Sequence, residues 1–268
     1  MISIDPLQAQ PALLRYTELV VKIATWNVNG IRARQEQVLA WIKQDSPDVV
    51  CLQETKASPE HIPAALLELE DYWGYWHGFK GYSGVALLVR KSFSPERPEF
   101  RHPHFDMENR IVIASVQGTT IASIYVPNGG KDFDAKLHFL TALENFAGEF
   151  KGATDSLILC GDLNVAHTPM DVHPKERREV TGQLPVERAL IDRILAHGLT
   201  DLGRAMAPTD EGLFTWWAPW REMRRRNIGW RLDYIYTSER LTRRITSCKV
   251  EATVGTSDHA PVAACFCP

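Results

Sequence analysis

The chain has 268 residues, of which 44% are hydrophobic and 24% charged, and its formal net charge is −3. This composition fits one large domain with a substantial core and excludes nucleic-acid binding through an overall excess of positive charge. No apolar stretch approaches the roughly 18–20 residues that cross a bilayer. The odd number of cysteines, five, argues against a secreted disulfide framework. We therefore expect a cytoplasmic protein with free thiols and no membrane contact.

The start of the chain differs in character from the rest. Residues 1–20 include Asp5 and Glu18, and they have neither a basic start nor a sustained apolar centre. They are therefore not predicted to be a signal peptide. We interpret residues 1–20 as an N-terminal extension that precedes a single domain over residues 21–268.

Apolar patterns in that domain predict more strands than helices. Alternation or short apolar runs predict strands at Val21–Trp26, Asp48–Gln53, Tyr72–His77, Val85–Lys91, Arg110–Gln117, Thr120–Val126, Leu157–Cys160, Arg231–Thr237, near Val250, and at Pro261–Phe266. Apolar spacings of three or four residues predict helices at Arg32–Asp45, about Pro59 to Leu69, 132–150 and Pro185–His197. Because regular strand–helix–strand repeats are few, we predict an α/β (α+β) fold. A sandwich of mixed sheets flanked by helices fits this pattern better than a doubly wound parallel sheet.

Polar side chains recur where the predicted strands end. Asp162 and Asn164 follow the apolar run Leu157–Cys160, and residues two apart on an extended chain face the same side. One such pair is most simply an Asp/Asn turn that closes a strand. Recurrence at several strand ends favours a functional site instead, and the clusters are Asn27/Asn29, Glu54, Tyr125/Asn128, Asp162/Asn164 and Asp258/His259.

A further carboxylate, Asp233, lies in the apolar segment Trp230–Tyr236. A buried acid needs a partner, and His259 or an arginine could supply it. Carboxylates and amides are hard oxygen ligands suited to Mg²⁺, and a histidine beside a buried carboxylate is favoured as a cation that can stabilise a phosphoryl oxygen. The set predicts a metal-assisted phosphodiesterase or phosphatase. A serine nucleophile is disfavoured because Ser257, Asp258 and His259 are contiguous, whereas a catalytic triad converges from separate elements.

Arginines and tryptophans alternate late in the chain. Arg221, Arg224, Arg225, Arg226 and Arg231 are bracketed by Trp216, Trp217, Trp220 and Trp230. A charge run is usually a solvated face and tryptophans are usually core. Interleaved in a predicted loop, the two types suit phosphate contacts beside stacking or wedging side chains.

Seven short motifs run in a fixed order through residues 21–267. They are Trp26–Gly30, Leu52–Lys56, Gly81–Val85, Tyr125–Asn128, Gly161–Asn164, Gly229–Tyr234 and Ser257–Pro261. On these motifs the chain resembles the exonuclease III family of abasic-site endonucleases, within the wider endonuclease/exonuclease/phosphatase superfamily. The resemblance implies a four-layered αββα sandwich of two packed mixed β-sheets, with the active site at one edge of the sheets.

The resemblance also implies a role for each matching residue. Glu54 is the expected principal Mg²⁺ ligand, helped by Asn29 or Asp258. Asp162 is expected to activate water or to protonate the leaving oxygen, and His259, paired with Asp233, to contact the scissile phosphate. Asn27, Tyr125, Asn128 and Asn164 are expected to orient that phosphate. The remaining residues of the expected DNA-binding set are Lys131, Arg177, Arg178, Trp216, Trp220, Arg224, Arg225, Trp230 and Leu232, and within it Trp216, Trp230 and Leu232 match the wall of a pocket for a flipped-out abasic sugar.

The implied function is a monomeric Mg²⁺-dependent DNA repair nuclease, with Mn²⁺ as an alternative ion. It is expected to cut duplex DNA 5′ to abasic sites and to process blocked 3′ ends, in the cytoplasm and on the nucleoid if the source is bacterial. Asn29, Asn109 and the Lys175–Val180 segment differ from many relatives and leave the balance among endonuclease, 3′-exonuclease and 3′-phosphatase activity open. The alternatives are mainly 3′ activity, a phosphatase acting on non-DNA esters, and a binding module with a decayed site.

Overall fold

The computed structural model describes residues 21–150, 152 and 156–267, so the predicted extension over residues 1–20 lies outside the described residues. The strands within these ranges are β1 (Val21–Asn27), β2 (Val49–Gln53), β3 (Tyr72–Phe79), β4 (Tyr82–Arg90), β5 (Glu99–Arg101), β6 (Ile111–Val116), β7 (Thr119–Tyr125), β8 (Leu157–Asp162), β9 (Leu199–Asp201), β10 (Asp233–Ser238), β11 (Ile245–Val250) and β12 (Val262–Phe266). The helices are α1 (Ile31–Asp45), α2 (Ala64–Leu67), α3 (Phe133–Gly148), α4 (Pro185–Leu195), α5 (Leu202–Met206) and α6 (Glu239–Thr242).

The strands form two six-stranded sheets. The first sheet has the order β11-β12-β1-β2-β4-β3, and the second has the order β5-β6-β7-β8-β10-β9. In each sheet one pair near the centre is parallel, β1 with β2 and β7 with β8, and antiparallel strands surround it. The mixed sheets predicted from the sequence are confirmed.

Three apolar layers hold these sheets and the helices together. Between the sheets, side chains such as Val49, Leu87 and Ile158 are almost fully buried. The outer face of the first sheet packs against α1, and that of the second packs against α3 and α4. Each large side chain so buried contributes roughly 1.5–3 kcal/mol relative to exposure. The result is the predicted four-layered αββα sandwich.

The helix predicted from about Pro59 to Leu69 is not continuous. A 3₁₀ turn at Pro59–His61 is followed by Ile62 in an extended conformation, and α2 begins only after Pro63. Proline disfavours the helical conformation in the residue before it and has no N–H to donate. The apolar spacing alone did not reveal this break. The short elements β5, β9, α5 and α6 also had no sequence signal.

Strand polarity brings the polar strand ends to one edge of the sandwich. The register pairs Tyr125 with Asp162 in the parallel β7–β8 ladder and pairs Asp162 with Asp233 across β8 and β10. Gly161 precedes Asp162 with φ of 152°, and a Cβ atom there would lie 1.8 Å from the Ile124 carbonyl oxygen. Only glycine can therefore occupy this position, which explains why a glycine follows the apolar run of β8.

The cysteines and the helices bear on the environment of the chain. Cys51 and Cys160 are buried and unpaired, and the other three cysteines are also free thiols. Among the residues that the structure describes, no helix is long and apolar enough to span a membrane.

Candidate active site

Asn27, at the end of β1, connects two carboxylates that come from different sheets. Its Nδ2 atom donates to Glu54 Oε2 at 3.0 Å and to Asp162 Oδ2 at 2.9 Å, and its Oδ1 accepts from Asn29 N at 3.0 Å. Asn27 and Asp162 are fully buried. Since both amide hydrogens are used on carboxylates, Asn27 holds Glu54 and Asp162 in place, and its contact with a phosphate stays a prediction.

Asp162 lies at the centre of the predicted set. Its Oδ1 accepts from Asn164 N at 2.8 Å, and Asn164 Nδ2 donates to the Val126 carbonyl oxygen at 2.9 Å. Burial, together with the nearby Asp233 charge, outweighs the opposing effect of His259 and raises the pKa of Asp162 to about 7. A carboxyl group with such a pKa can take up or release a proton near neutral pH.

His259 faces Asp162 and is held from behind by Asp233. The His259 Nδ1 atom lies 2.8 Å from Asp233 Oδ2, and its Nε2 atom lies 3.8 Å from Asp162 Oδ2. Burial alone would lower the pKa of His259, but the Asp233 and Asp162 carboxylates outweigh it and raise the pKa to about 10. The imidazole is therefore a fixed cation at neutral pH, and the predicted pairing of His259 with Asp233 is present.

Hard oxygen donors and a cation meet beside Asn27. Lys56 Nζ lies 2.8 Å from Glu54 Oε1 and 2.7 Å from Asn29 Oδ1, so this position already attracts positive charge. The Asn29 Nδ2 atom donates to Asp258 Oδ1 at 2.7 Å, and Trp216 Nε1 donates to Asp258 Oδ2 at 3.0 Å. The donor set fits a divalent ion at Glu54 and Asn29. Both carboxylate oxygens of Asp258 already accept hydrogen bonds from Asn29 and Trp216, so Asp258 is less available as a ligand of this ion.

The backbone of this region is strained where the ligands lie. Asn29, Glu54, Lys56 and Asn164 all have positive φ, between 45° and 55°. Such conformations cost non-glycine residues on the order of 1 kcal/mol or more each and concentrate at functional sites. Lys56 lies within one of the sequence motifs, but nothing in the sequence assigned it a role.

Tyr125 is backed by an arginine that sequence analysis missed. The Arg110 guanidinium is buried and lies 4.7 Å from the centroid of the Tyr125 ring. Burial, with the Glu54 and Asp162 charges, raises the pKa of Tyr125 well above its usual value. Tyr125 is therefore a phenol at all ordinary pH values and can donate a hydrogen bond.

A buried ion pair supports the loop that carries Asn164. Lys136 and Glu187 are both fully buried and form a salt bridge. Lys136 Nζ donates to the Asn164 carbonyl oxygen at 2.7 Å and to that of Asn128 at 3.4 Å, while Glu187 accepts from the backbone N–H of Gly182. Burial lowers the pKa of Lys136 against the effect of Glu187. The pair thus ties together the backbones of two predicted phosphate-orienting residues.

Trp216, Trp230 and Leu232 form an apolar wall next to the polar centre. The two indole rings meet edge to face with their centroids 5.6 Å apart, and both pack against a small buried cluster that contains Leu232. Isolated β-bridges join Trp216 to Trp230 and Trp216 to His259. Trp230 Nε1 is buried and has no hydrogen-bond partner among the described residues. The structure therefore brings together the three predicted pocket residues.

The predicted basic loop is only partly an exposed surface. Arg231 is 2% exposed and pairs with Asp171 and Asp201, so its assignment to the exposed basic patch was wrong. Trp217 is also buried. Arg224 donates to the carbonyl oxygens of Ala252, Ser257 and Val254, and it stabilises the loop. Its predicted contact with DNA stays a prediction.

Several residues of the predicted DNA-binding set do lie at the surface. Trp220 is 59% exposed, and the Arg225 side chain is 78% exposed beside Glu222. The other exposed members are Asn128, Lys131, Arg177 and Arg178. Lys131 Nζ lies 5.4 Å from the centroid of the Tyr82 ring, and Arg177 Nε donates to the Val172 carbonyl oxygen.

Comparison with known proteins now identifies the family. The endonuclease/exonuclease/phosphatase family matches residues 24–259. An exodeoxyribonuclease from Bacillus subtilis is 36% identical over 250 residues, covering 90% of this chain and 98% of that protein. The chain belongs to this family.

Solved structures of family members share the whole architecture. An AP endonuclease from Archaeoglobus fulgidus superimposes with a TM-score of 0.82 at 30% identity, covering 92% of this chain and 99% of that one. The 3′ phosphatase NExo from Neisseria, bound to a product DNA hairpin, gives a TM-score of 0.83 at 32% identity, with the same coverage. The family member described here is thus a phosphodiesterase of the exonuclease III/AP endonuclease type, a DNA repair nuclease. The family is metal-dependent.

Proposed function

We propose that the enzyme hydrolyses the phosphodiester 5′ to abasic sites in duplex DNA, with Mg²⁺ as its ion and Mn²⁺ as an alternative. The observation that carries this proposal is the apolar wall of Trp216, Trp230 and Leu232 directly beside His259. A sugar without a base is compact, and the carbon-bearing face of its ring can pack against such a wall, which leaves no room for a base. Extruding it costs less than extruding a paired nucleotide, which selects the lesion.

The polar groups supply the chemistry. His259, a cation held by Asp233, stabilises negative charge that develops on the scissile phosphate. Asp162 moves one proton, taken from the attacking water or given to the leaving oxygen, and its pKa of about 7 suits either task. A Mg²⁺ ion held by Glu54 and Asn29, with Asp258 next to them, would neutralise phosphate charge. Tyr125 and Asn164 orient the phosphate.

The exposed basic and aromatic residues supply the DNA surface. Arg177, Arg178, Arg225 and Lys131 suit phosphate contacts, and Trp220 suits insertion into a distorted duplex. The partner is double-stranded DNA with abasic sites or blocked 3′ ends, bound by a monomer in the cytoplasm or on a bacterial nucleoid.

A second candidate is mainly 3′ exonuclease and 3′-phosphatase activity. It is favoured by the similarity to NExo, which is called a 3′ phosphatase and is as similar in fold as the Archaeoglobus AP endonuclease. A phosphatase acting on non-DNA esters is less favoured, since such a substrate has no use for Trp220 and the exposed arginines.

The test uses a 5′-labelled duplex that carries one abasic analogue, incubated with the enzyme in Mg²⁺ and in EDTA. An intact duplex and Asp162→Asn serve as controls. A single Mg²⁺-dependent cut at the lesion, absent in the variant, supports the proposal. A ladder of products from the 3′ end without a cut at the lesion supports the second candidate instead.

Trp216→Ala should reduce discrimination more than chemistry. Removing one ring of the wall removes its packing against the extruded sugar, so the ratio of cleavage at abasic and intact sites should fall about tenfold or more, which corresponds to about 1.4 kcal/mol. The readout is single-turnover cleavage of the two duplexes at saturating enzyme. An unchanged ratio would contradict the assignment of the wall.

A further inference from the structure

A second group of metal-binding side chains lies where the edges of the two sheets meet. His77 is on β3, at the edge of the first sheet, and His102 directly follows β5, at the edge of the second. Asp106 is in the loop between β5 and β6. One ligand atom from each of the three lies within 4.8 Å of the other two. The active-site proposal uses none of these residues.

Hydrogen bonds fix which nitrogen of His102 is free. Its Nδ1 atom lies 3.0 Å from the Ile111 carbonyl oxygen, which can only accept, so Nδ1 carries the proton. The lone pair is therefore on Nε2, which lies 2.9 Å from the Tyr75 hydroxyl group. A histidine whose other nitrogen donates to a backbone carbonyl is the usual arrangement of a metal-ligating histidine.

The other two ligands are also oriented by their surroundings. His77 Nε2 lies 2.6 Å from Asp106 Oδ2, while Asp106 Oδ1 accepts from the backbone N–H groups of Arg110 and Ile111. Oδ2 is thus presented toward the histidines. The side chains of His77 and Asp106 are 18% and 12% exposed, so an ion can reach the group from solvent while most of its hydration shell is replaced.

The two imidazole rings stack with their centroids 3.7 Å apart and an angle of 24° between their planes. The two Nε2 atoms face the same space. Without an ion, His77 Nε2 donates to Asp106 Oδ2, because a carboxylate only accepts, and His102 Nε2 accepts from the Tyr75 hydroxyl group. A cation that displaces the His77 proton would bind Nε2 of His77, Nε2 of His102 and Oδ2 of Asp106 after a small tilt of the rings. Two imidazoles and a carboxylate suit borderline-soft ions such as Zn²⁺ and suit Mg²⁺ poorly.

We propose that His77, His102 and Asp106 form a second metal site, selective for a divalent transition metal of the Zn²⁺ class and distinct from the catalytic Mg²⁺ position. The bound ion links the edges of the two sheets. Because it binds the folded chain and not the separated strands, it raises the melting temperature as its concentration rises.

The experiment titrates Zn²⁺, and Co²⁺ as its coloured substitute, into the full chain in excess Mg²⁺. His102→Phe keeps a stacking ring and removes the ligand nitrogen, whereas His104→Phe changes the exposed neighbouring histidine as the matched control. Glu54→Gln removes the main ligand of the catalytic ion. Asp106→Asn keeps an oxygen for the backbone donors, and it tests the site if His102→Phe does not fold.

The expected result is one tight equivalent of Zn²⁺ in the wild type, in His104→Phe and in Glu54→Gln. In His102→Phe or Asp106→Asn, the affinity should fall at least tenfold, and the Zn²⁺-dependent rise in melting temperature should disappear. Co²⁺ should show a ligand-field spectrum without a thiolate charge-transfer band. Equal Zn²⁺ affinity in all variants, loss in Glu54→Gln alone, or a thiolate band that reports binding by the free cysteines would each overturn the proposal.

Discussion

Two buried charge networks contain the residues that flank Leu232 in the sequence, Arg231 and Asp233, and they shift the pKa of an aspartate in opposite directions. In the network that we propose to be catalytic, Asp162 faces Asp233 and the single cation His259, and the pKa of Asp162 is raised to about 7. In the second network, Asp171 Oδ1 accepts from Arg231 Nε and Arg204 NH2, both at 2.7 Å. Burial alone would raise the pKa of Asp171, but Arg231 and Arg204 lower it to about 2.

Burial acts in the same direction on both carboxylates, so the difference lies in the neighbouring charges. Two guanidinium groups overcome the effect of burial at Asp171, whereas His259 does not overcome it at Asp162. Asp171 is satisfied by two guanidinium groups and by Thr168, so it stays ionised and joins distant segments. Asp162 shares one imidazolium with a second carboxylate and stays close to protonation. The first arrangement suits a structural ion pair, and the second suits the proton transfer that we propose for Asp162.

The largest expected effect is that of Asp162→Asn on turnover. Removing the proton-transfer group should slow single-turnover cleavage of an abasic duplex by about 10²–10⁴-fold. The free energy of unfolding at pH 8 should not fall, since the variant removes a buried charge whose cost exceeds the value of one lost hydrogen bond. A variant that cuts at the wild-type rate would remove Asp162 from the mechanism.

Asp171→Asn should have the opposite profile. It leaves Arg231 buried with less counter-charge, which should lower the free energy of unfolding by about 3–5 kcal/mol. Urea denaturation measures this loss. Asp192→Asn, which alters a carboxylate whose side chain is 69% exposed, is the control and should stay within about 0.5 kcal/mol of wild type. Equal free energies of unfolding in the two variants would show that Asp171 does not stabilise the fold.

The two networks should also give opposite dependences of stability on pH. The pKa of Asp171 is depressed to about 2, so its stabilisation is present above pH of about 4 and is lost as pH falls through 2. The pKa of Asp162 is raised to about 7, so its contribution is present below about pH 4 and is lost as pH rises through 7, by a few kcal/mol in all. Urea unfolding from pH 4 to pH 8 should therefore show a decline that Asp162→Asn flattens. An identical slope in the variant would contradict this assignment.

The sequence predicted the sandwich and most of the residues that meet at the candidate site because both depend on local signals. Apolar runs that end in Asp, Asn or Glu marked the strand ends, and strand polarity then brought Asn27, Glu54 and Asp162 together. His259 was marked in the same way by the strand-end cluster Asp258/His259, and Asp233 by its position as a carboxylate in an apolar segment. Predicting that these residues lie together required the fold but no further long-range contacts.

The errors and omissions, apart from one break in a helix, involve partners that are distant in sequence. Arg231 was predicted to belong to a basic surface. Its partners Asp171 and Asp201 lie 60 and 30 residues away in the chain, so no local pattern revealed them. The His77, His102 and Asp106 group spans two strand edges and forms no motif. The break at Pro63 was local, and the rule for the residue before a proline would have predicted it.

The most direct test of the contrast between the two networks is an NMR titration of aspartate carboxyl carbons in metal-free protein, assigned with Asp162→Asn and Asp171→Asn. We expect the signal of Asp162 to titrate with a pKa near 7 and that of Asp171 to titrate near 2. Titration of Asp162 near the ordinary value of about 4 would contradict the account, because the catalytic network would then differ from the structural one in position but not in chemistry.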